Sequence, residues 1–97
     1  MAKLNELIHQ PVRLRIMAAL ITLAPDEEVD FTYLRNLLEV TDGNLGAHLR
    51  KLEEVEYITL NKLFVERKPR TFVSATVKGR KVFDAHVAAL ESILKNK

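Results

Sequence analysis

Thr41-Asp-Gly-Asn-Leu-Gly-Ala-His-Leu-Arg-Lys-Leu-Glu-Glu-Val-Glu56 is the stretch around which the rest of the chain falls into place. Thr41 is a helix-capping residue, because its hydroxyl accepts a bond from a free N–H of the first turn. Behind it Leu45, Leu49, Leu52 and Val55 recur at helical spacing and predict one buried stripe. The other side carries Gly43, Asn44, Ala47, Arg50 and Lys51, with His48 on the flank. It is small, polar and basic, and it holds no large apolar group. Such a face fits the major groove of duplex DNA. Small residues admit the backbone, Asn and His bond base edges, and Arg and Lys reach bases or phosphates. An ordinary amphipathic helix with a solvated face is the competing explanation. The two glycines weigh against it, since each costs about 1 kcal/mol of helix stability relative to alanine. Close approach to a partner would account for that cost.

Upstream, Thr32-Tyr-Leu-Arg-Asn-Leu-Leu38 predicts a short helix with Leu34, Leu37 and Leu38 inward, and Glu39-Val-Thr41 is a tight connection. Two helices joined in this way, the second glycine-containing and with the basic pair Arg50 and Lys51 on its outer face, predict a helix-turn-helix over about residues 32–56. Val29-Asp30-Phe31 is a candidate edge strand, and Ala24 to Glu28 a loop. Pro11 fits the first position of an earlier helix, where its missing N–H costs nothing. That helix runs to Leu23, and Leu4 to Ile8 predicts a helical turn before it.

Downstream the period changes. Tyr57 to Val65 and Thr71 to Val77 are rich in strand formers, and Glu66-Arg-Lys-Pro-Arg70 between them is polar and carries a proline. The segment of about residues 57–76 therefore predicts a β-hairpin with Arg67, Lys68 and Arg70 at its tip. A solvated turn is the commoner fate of such charges, but a hairpin beside a helix-turn-helix sets them against the sugar-phosphate backbone or the minor groove. Thr76 caps a last helix of about residues 77–95. The expected architecture is α+β and mostly helical, one domain spanning residues 1–97.

Two helices carry more apolar surface than one core needs. In the first, Val12, Ile16, Ala19, Leu20 and Leu23 form one stripe and Leu14, Met17, Ala18 and Ile21 a second. In the last, Phe83, Val87, Leu90 and Leu94 lie beside Val82, His86, Ala89 and Ile93. The surplus predicts a homodimer whose interface includes Leu14, Met17, Ile21, Val82, His86, Leu90 and Ile93.

Composition bounds the alternatives. Of 97 residues 47% are hydrophobic and 29% charged, enough for a core and too polar for membrane insertion. The longest uncharged run, Ile16 to Pro25, falls short of the roughly 20 residues that span a bilayer. The first residues carry no long apolar segment of the kind that directs secretion, so a cytoplasmic protein is expected. Net charge is only +2, yet residues 62–81 hold seven basic side chains against the single acid Glu66. Such a concentration marks a nucleic-acid footprint in a near-neutral protein.

Cysteine is absent, which excludes disulfides, thiolate metal sites and cysteine nucleophiles. Asp84-Ala-His86 offers two metal donors where a closed site needs four, and His9 is the only histidine besides it outside the capped helix. No metal or other cofactor is expected. Ser74 and Ser92 have no histidine pattern, and no phosphate loop or HExxH motif occurs, so an enzyme is not expected.

Leu7-Ile-His-Gln-Pro-Val-Arg-Leu-Arg-Ile-Met-Ala-Ala-Leu20 resembles the first-helix signature of ArsR-like winged-helix regulators. Gly43 to Glu54 is similar to the recognition helix of ArsR- and MarR-type repressors, and Tyr57-Ile58 to their entry into the wing. Thr76-Val-Lys-Gly-Arg80 resembles the start of the helix after the wing in MarR-like proteins. Together these cover nearly the whole chain. The resemblance implies a winged helix-turn-helix with a β-hairpin wing and a C-terminal dimerisation helix. It implies a homodimeric, sequence-specific regulator of transcription that binds double-stranded DNA, most simply a repressor. By position, Thr41, Asn44, Ala47, His48, Arg50 and Lys51 fall on the recognition helix and Arg67, Lys68 and Arg70 on the wing. Zinc sensors of the ArsR group add ligands about ten residues after Asp-x-His, where this chain has Asn96 and Lys97. A winged helix that docks proteins within a larger complex is the alternative, and salt-dependent binding to duplex DNA separates the two.

Overall fold

The computed structural model describes residues 4–95. Its elements run α1 (Pro11–Ile21), β1 (Val29–Asp30), α2 (Phe31–Leu38), α3 (Asp42–Glu54), β2 (Ile58–Val65), β3 (Lys68–Ala75) and α4 (Val77–Lys95). The strands form one antiparallel sheet in the order β1-β3-β2. This is the winged helix arrangement of helices and sheet that the resemblance implies.

Each helix starts where a side chain satisfies its free N–H groups. Gln10 caps α1, accepting from the Arg13 N–H at 2.9 Å, and Pro11 is its first residue. Asp30 caps α2 through the Thr32 N–H at 2.8 Å. This cap ends β1 one residue before Phe31, which the sequence had suggested as strand. The two helices of the helix-turn-helix are separated by Glu39, Val40 and Thr41 alone. Glu39 takes a left-handed conformation (φ 55°), and its N–H bonds back to the carbonyls of Arg35 and Asn36. Across this turn Arg35 Nη1 meets Asp42 Oδ1 at 2.7 Å.

The core gathers Ile16, Met17 and Leu20 of α1, Leu34 and Leu38 of α2, and Leu45, Leu49 and Leu52 of α3, with Ile58, Val73 and Ala75 of the sheet. Burial of each large aliphatic side chain stabilises the fold by about 1.5–3 kcal/mol. Leu37, expected inward, is 51% exposed and lines an open cleft with Ala19, Thr22 and Leu23 at the end of α1.

α4 is locked to the sheet at its first turn. Thr76 donates its hydroxyl to the Glu56 carbonyl at 2.7 Å and accepts the Gly79 N–H at 2.9 Å. Its backbone N–H bonds to Tyr57 O at 3.0 Å. A methyl group on Gly79 would drive into that same Tyr57 carbonyl, so only glycine fits. Arg80 then reaches the far end of α1 and bonds the carbonyls of Leu23 and Ala24 at 3.1 and 3.3 Å. It belongs to the basic run counted in the sequence, yet its charge serves a helix C-terminus.

Candidate nucleic-acid interface

Burial of Leu45, Leu49 and Leu52 forces the opposite side of α3 into solvent. Asp42, Gly43, Asn44, Ala47, Arg50 and Lys51 are all exposed there. Among the described residues, a Cβ added at Gly43 or Gly46 would meet nothing within 4 Å beyond the backbone of its own helix. Neither glycine is therefore demanded by internal packing. Thr41 uses its hydroxyl as the cap of α3, 3.1 Å from the Asn44 N–H, and so fixes where this face begins.

His48 sits at the edge of the same face, half-buried against α1. Arg13 Nη1 lies 3.3 Å from His48 Nδ1, and Arg13 Nε donates to the Leu7 carbonyl at 2.6 Å. Burial first, then the charges of Arg13 and Lys51, hold the His48 pKa below the ordinary imidazole value. Both causes favour the neutral ring. Sequence reasoning missed Arg13, since nothing in the periodicity of α1 tells which residue of α3 it will meet.

The wing is β2 and β3 beyond Leu60, where the strands leave the core and every residue from Asn61 to Arg70 is exposed. Its tip is the two-residue turn Glu66-Arg67, both left-handed (φ 52° and 68°), closed by the pair Val65 and Lys68. The expected tip of five residues is thus a tighter turn, and Pro69 stands in β3 opposite Phe64. Pairs alternate between hydrogen-bonded and non-bonded in an antiparallel ladder. Pro69 falls on a non-bonded pair, where its missing N–H costs nothing.

Alternation along the strands also sorts the wing cations. Lys62 pairs with Thr71, and both line a cleft with Gly46, Arg50 and Glu53 of α3. Lys68 and Arg70 share the other face of the hairpin, where Arg70 Nη1 meets Asp30 Oδ2 at 3.3 Å. Arg67 occupies the tip. Lys62, facing the recognition helix, was legible only as one charge in a basic run. Its cross-strand partner Thr71 is what brings it beside Arg50.

Residues 12–94 match the family described as the winged helix DNA-binding domain. The chain belongs to that family. This winged helix is 34% identical over 91 residues to an uncharacterized protein of Methanocaldococcus jannaschii, covering 94% of this chain and 96% of the relative. It superposes on a transcriptional regulator homologue from Pyrococcus horikoshii with a TM-score of 0.84 at 30% identity, over 94% and 87% of the two chains. The protein of a Staphylococcus aureus MepR–DNA complex shares the fold, with a TM-score of 0.72 at 15% identity over 93% and 71%.

In this winged helix two residues expected at a dimer contact lie elsewhere. Met17 is fully enclosed in the core, because α1 is covered by α2, α3 and the sheet on that side. His86 is 1% exposed, covered by the segment before α1. Its Nδ1 accepts the Asn5 N–H at 3.0 Å, and its Nε2 lies 3.4 Å from His9 Nδ1. Asn5 also bonds the Tyr57 hydroxyl at 3.1 Å. A neutral His86 that accepts at Nδ1 carries its proton at Nε2, which leaves no lone pair there for a metal. Leu14, Ile21, Val82 and Leu90 are half-buried, while Ile93 is 54% exposed and Leu94 65%. Asn96 and Lys97 fall outside the described residues. No group of three or more metal-donor side chains occurs among the described residues, and no helix among them is long and apolar enough to cross a membrane.

Proposed function

We propose that this chain is a non-enzymatic, homodimeric transcriptional regulator that binds duplex DNA sequence-specifically and represses by covering a promoter. The observation that carries the reading is the outer face of α3. It presents Asn44, Ala47, Arg50 and Lys51 together with two glycines whose surroundings are empty, so the helix is slimmed for a partner outside the chain. Asn44 and His48 meet base edges, Arg50 and Lys51 bases or phosphates, and Arg67 and Lys68 the sugar-phosphate backbone. Arg70 contributes once it leaves Asp30, a partly exposed pairing worth about 1 kcal/mol. The resemblance to a transcriptional regulator homologue and to a protein solved on DNA supports the same assignment.

The dimer is built on α4, where Ile93 and Leu94 stand in solvent beside the half-covered Val82 and Leu90, with Leu14 and Ile21 of α1 adjoining. Two recognition helices then enter successive major grooves, with half-sites about 34 Å apart. A cytoplasmic location, as in cells whose chromosome lies in the cytoplasm, belongs to the same proposal.

Titration of fluorescent duplex DNA at several salt concentrations tests the reading. Affinity falls as salt rises, and each of Arg67→Ala and Lys68→Ala flattens the logarithmic slope by roughly 0.9. Asn44→Ala lowers the preference for operator over scrambled DNA. Affinity that ignores salt would point instead to a protein-docking winged helix. Replacement of Leu90 and Ile93 by glutamate gives monomer in sedimentation, and a dimer that survives would place the contact elsewhere.

A further inference from the structure

We infer that His48 is a specificity-determining hydrogen-bond donor, fixed by Arg13 as the Nε2–H tautomer, so that it selects an acceptor on a base edge and rejects cytosine. The inference rests on the DNA-binding reading of α3 and adds what this position asks of the DNA.

Arg13 is a guanidinium, which donates and never accepts. Its Nη1 lies 3.3 Å from His48 Nδ1, so that nitrogen must present its lone pair. The proton of the neutral ring is then on Nε2. Among the described residues no group bonds Nε2, and it is not among the buried unpartnered atoms, so it opens to solvent. The ring lies one turn beyond Asn44 on the helix that enters the groove. Arg13 is itself held, by the bond from Nε to the Leu7 carbonyl at 2.6 Å, so it is a positioning residue with a fixed approach to the ring.

The charged neighbours of His48 are Arg13 from α1 and Lys51 from its own helix, and both oppose a proton on the ring. A protonated ring would also turn an Nδ1–H donor against the guanidinium. Near neutral pH the helix therefore offers one donor here and no acceptor. In the major groove guanine presents N7 and O6, adenine N7 and thymine O4, all acceptors. Cytosine presents only the amino group at N4, which a donor repels.

Two measurements test this. Nitrogen-15 NMR of the free protein should show His48 as the Nε2–H tautomer with a depressed pKa. Arg13→Met should mix the tautomers and raise that pKa, with the thermal melt confirming that the variant folds. Selection from random duplex DNA should give the wild type a half-site with one position depleted of cytosine about tenfold. His48→Ala should accept all four bases at that position and keep its preferences elsewhere, and Arg13→Met should narrow the depletion. An Nδ1–H tautomer in the wild type, or unchanged tautomer and pKa in Arg13→Met, would overturn the role of Arg13. A selected operator that is the same for wild type and His48→Ala would overturn only the His48 assignment. If the wild type retains no duplex at any salt, the DNA-binding reading falls and this inference with it.

Discussion

The two helices α3 and α4 start on one plan, a threonine cap with a glycine in the turn behind it. Thr41 accepts the Asn44 N–H and Thr76 the Gly79 N–H, at 3.1 and 2.9 Å. Beyond the caps the helices differ. Gly79 is pressed on the Tyr57 carbonyl, whereas Gly43 and Gly46 look into empty space. At α4 the chain itself requires the small residue. At α3 none of the described neighbours does, and the open space is what the proposed DNA contact would use. The same residue type thus marks a filled space in one place and an open one in the other, and only the neighbours tell which.

The contrast can be broken most sharply at Gly79. Gly79→Ala should lower stability by about 3 kcal/mol, since backbone stands where the methyl would go and cannot swing aside. Urea denaturation reads this, and a stability within about 0.5 kcal/mol of wild type would mean that α4 is not locked to Tyr57. The caps come next. Thr76→Ala should cost about 2 kcal/mol, because the hydroxyl also holds the Glu56 carbonyl, and Thr41→Ala about 1 kcal/mol. Equal losses would remove the asymmetry between the two helix starts.

Gly46→Ala should do the reverse of Gly79→Ala. It should raise stability by about 1 kcal/mol while weakening DNA binding, seen by thermal melts and duplex titration on one preparation. A stabilised variant with undiminished affinity would show that the glycine is not there for the groove.

The smallest effect concerns the two histidines, which repeat the contrast. Both pKa values are depressed, by burial first, then by Arg13 and Lys51 for His48 and by His9 for His86. A depressed pKa favours the neutral ring in the folded state. The stability it contributes is present above the ordinary value of about 6.5 and is lost as pH falls from there through the folded value. The midpoint of urea unfolding should therefore drop between pH 7 and pH 5. Replacing His86 with glutamine should flatten that drop, because His86 holds the Asn5 N–H. A pH dependence unchanged in His86→Gln would assign it to other groups.

Much of this was legible in the sequence, and the rest failed for identifiable reasons. The period of Leu45, Leu49 and Leu52 gives α3 its buried side, and the strand formers from Tyr57 onward give the wing, because both follow from local pattern. The hairpin tip was misread because Glu66-Arg67 has none of the glycine or asparagine that marks a left-handed two-residue turn. Proline drew the turn to Pro69 instead. Met17 and His86 were set on a subunit contact because periodicity counts apolar sides without knowing what covers them. For His86 the cover is Asn5 and His9, more than seventy residues away in sequence. Arg70 reads in the sequence as one of three cations at the hairpin tip, and only the register of β1 on β3 brings Asp30 to it.

The bonds from Arg80 to the carbonyls of Leu23 and Ala24, just past α1, have a mechanical meaning. They rivet the first turn of α4 to the end of α1, and α4 is gripped again by the cap at Thr76. Helix and body then pivot together, with no hinge where α4 begins. For two copies joined along α4, the separation of their recognition helices is a gauge cut to one length. Operators with base pairs inserted between the half-sites should be refused outright, since the protein has no slack with which to follow them.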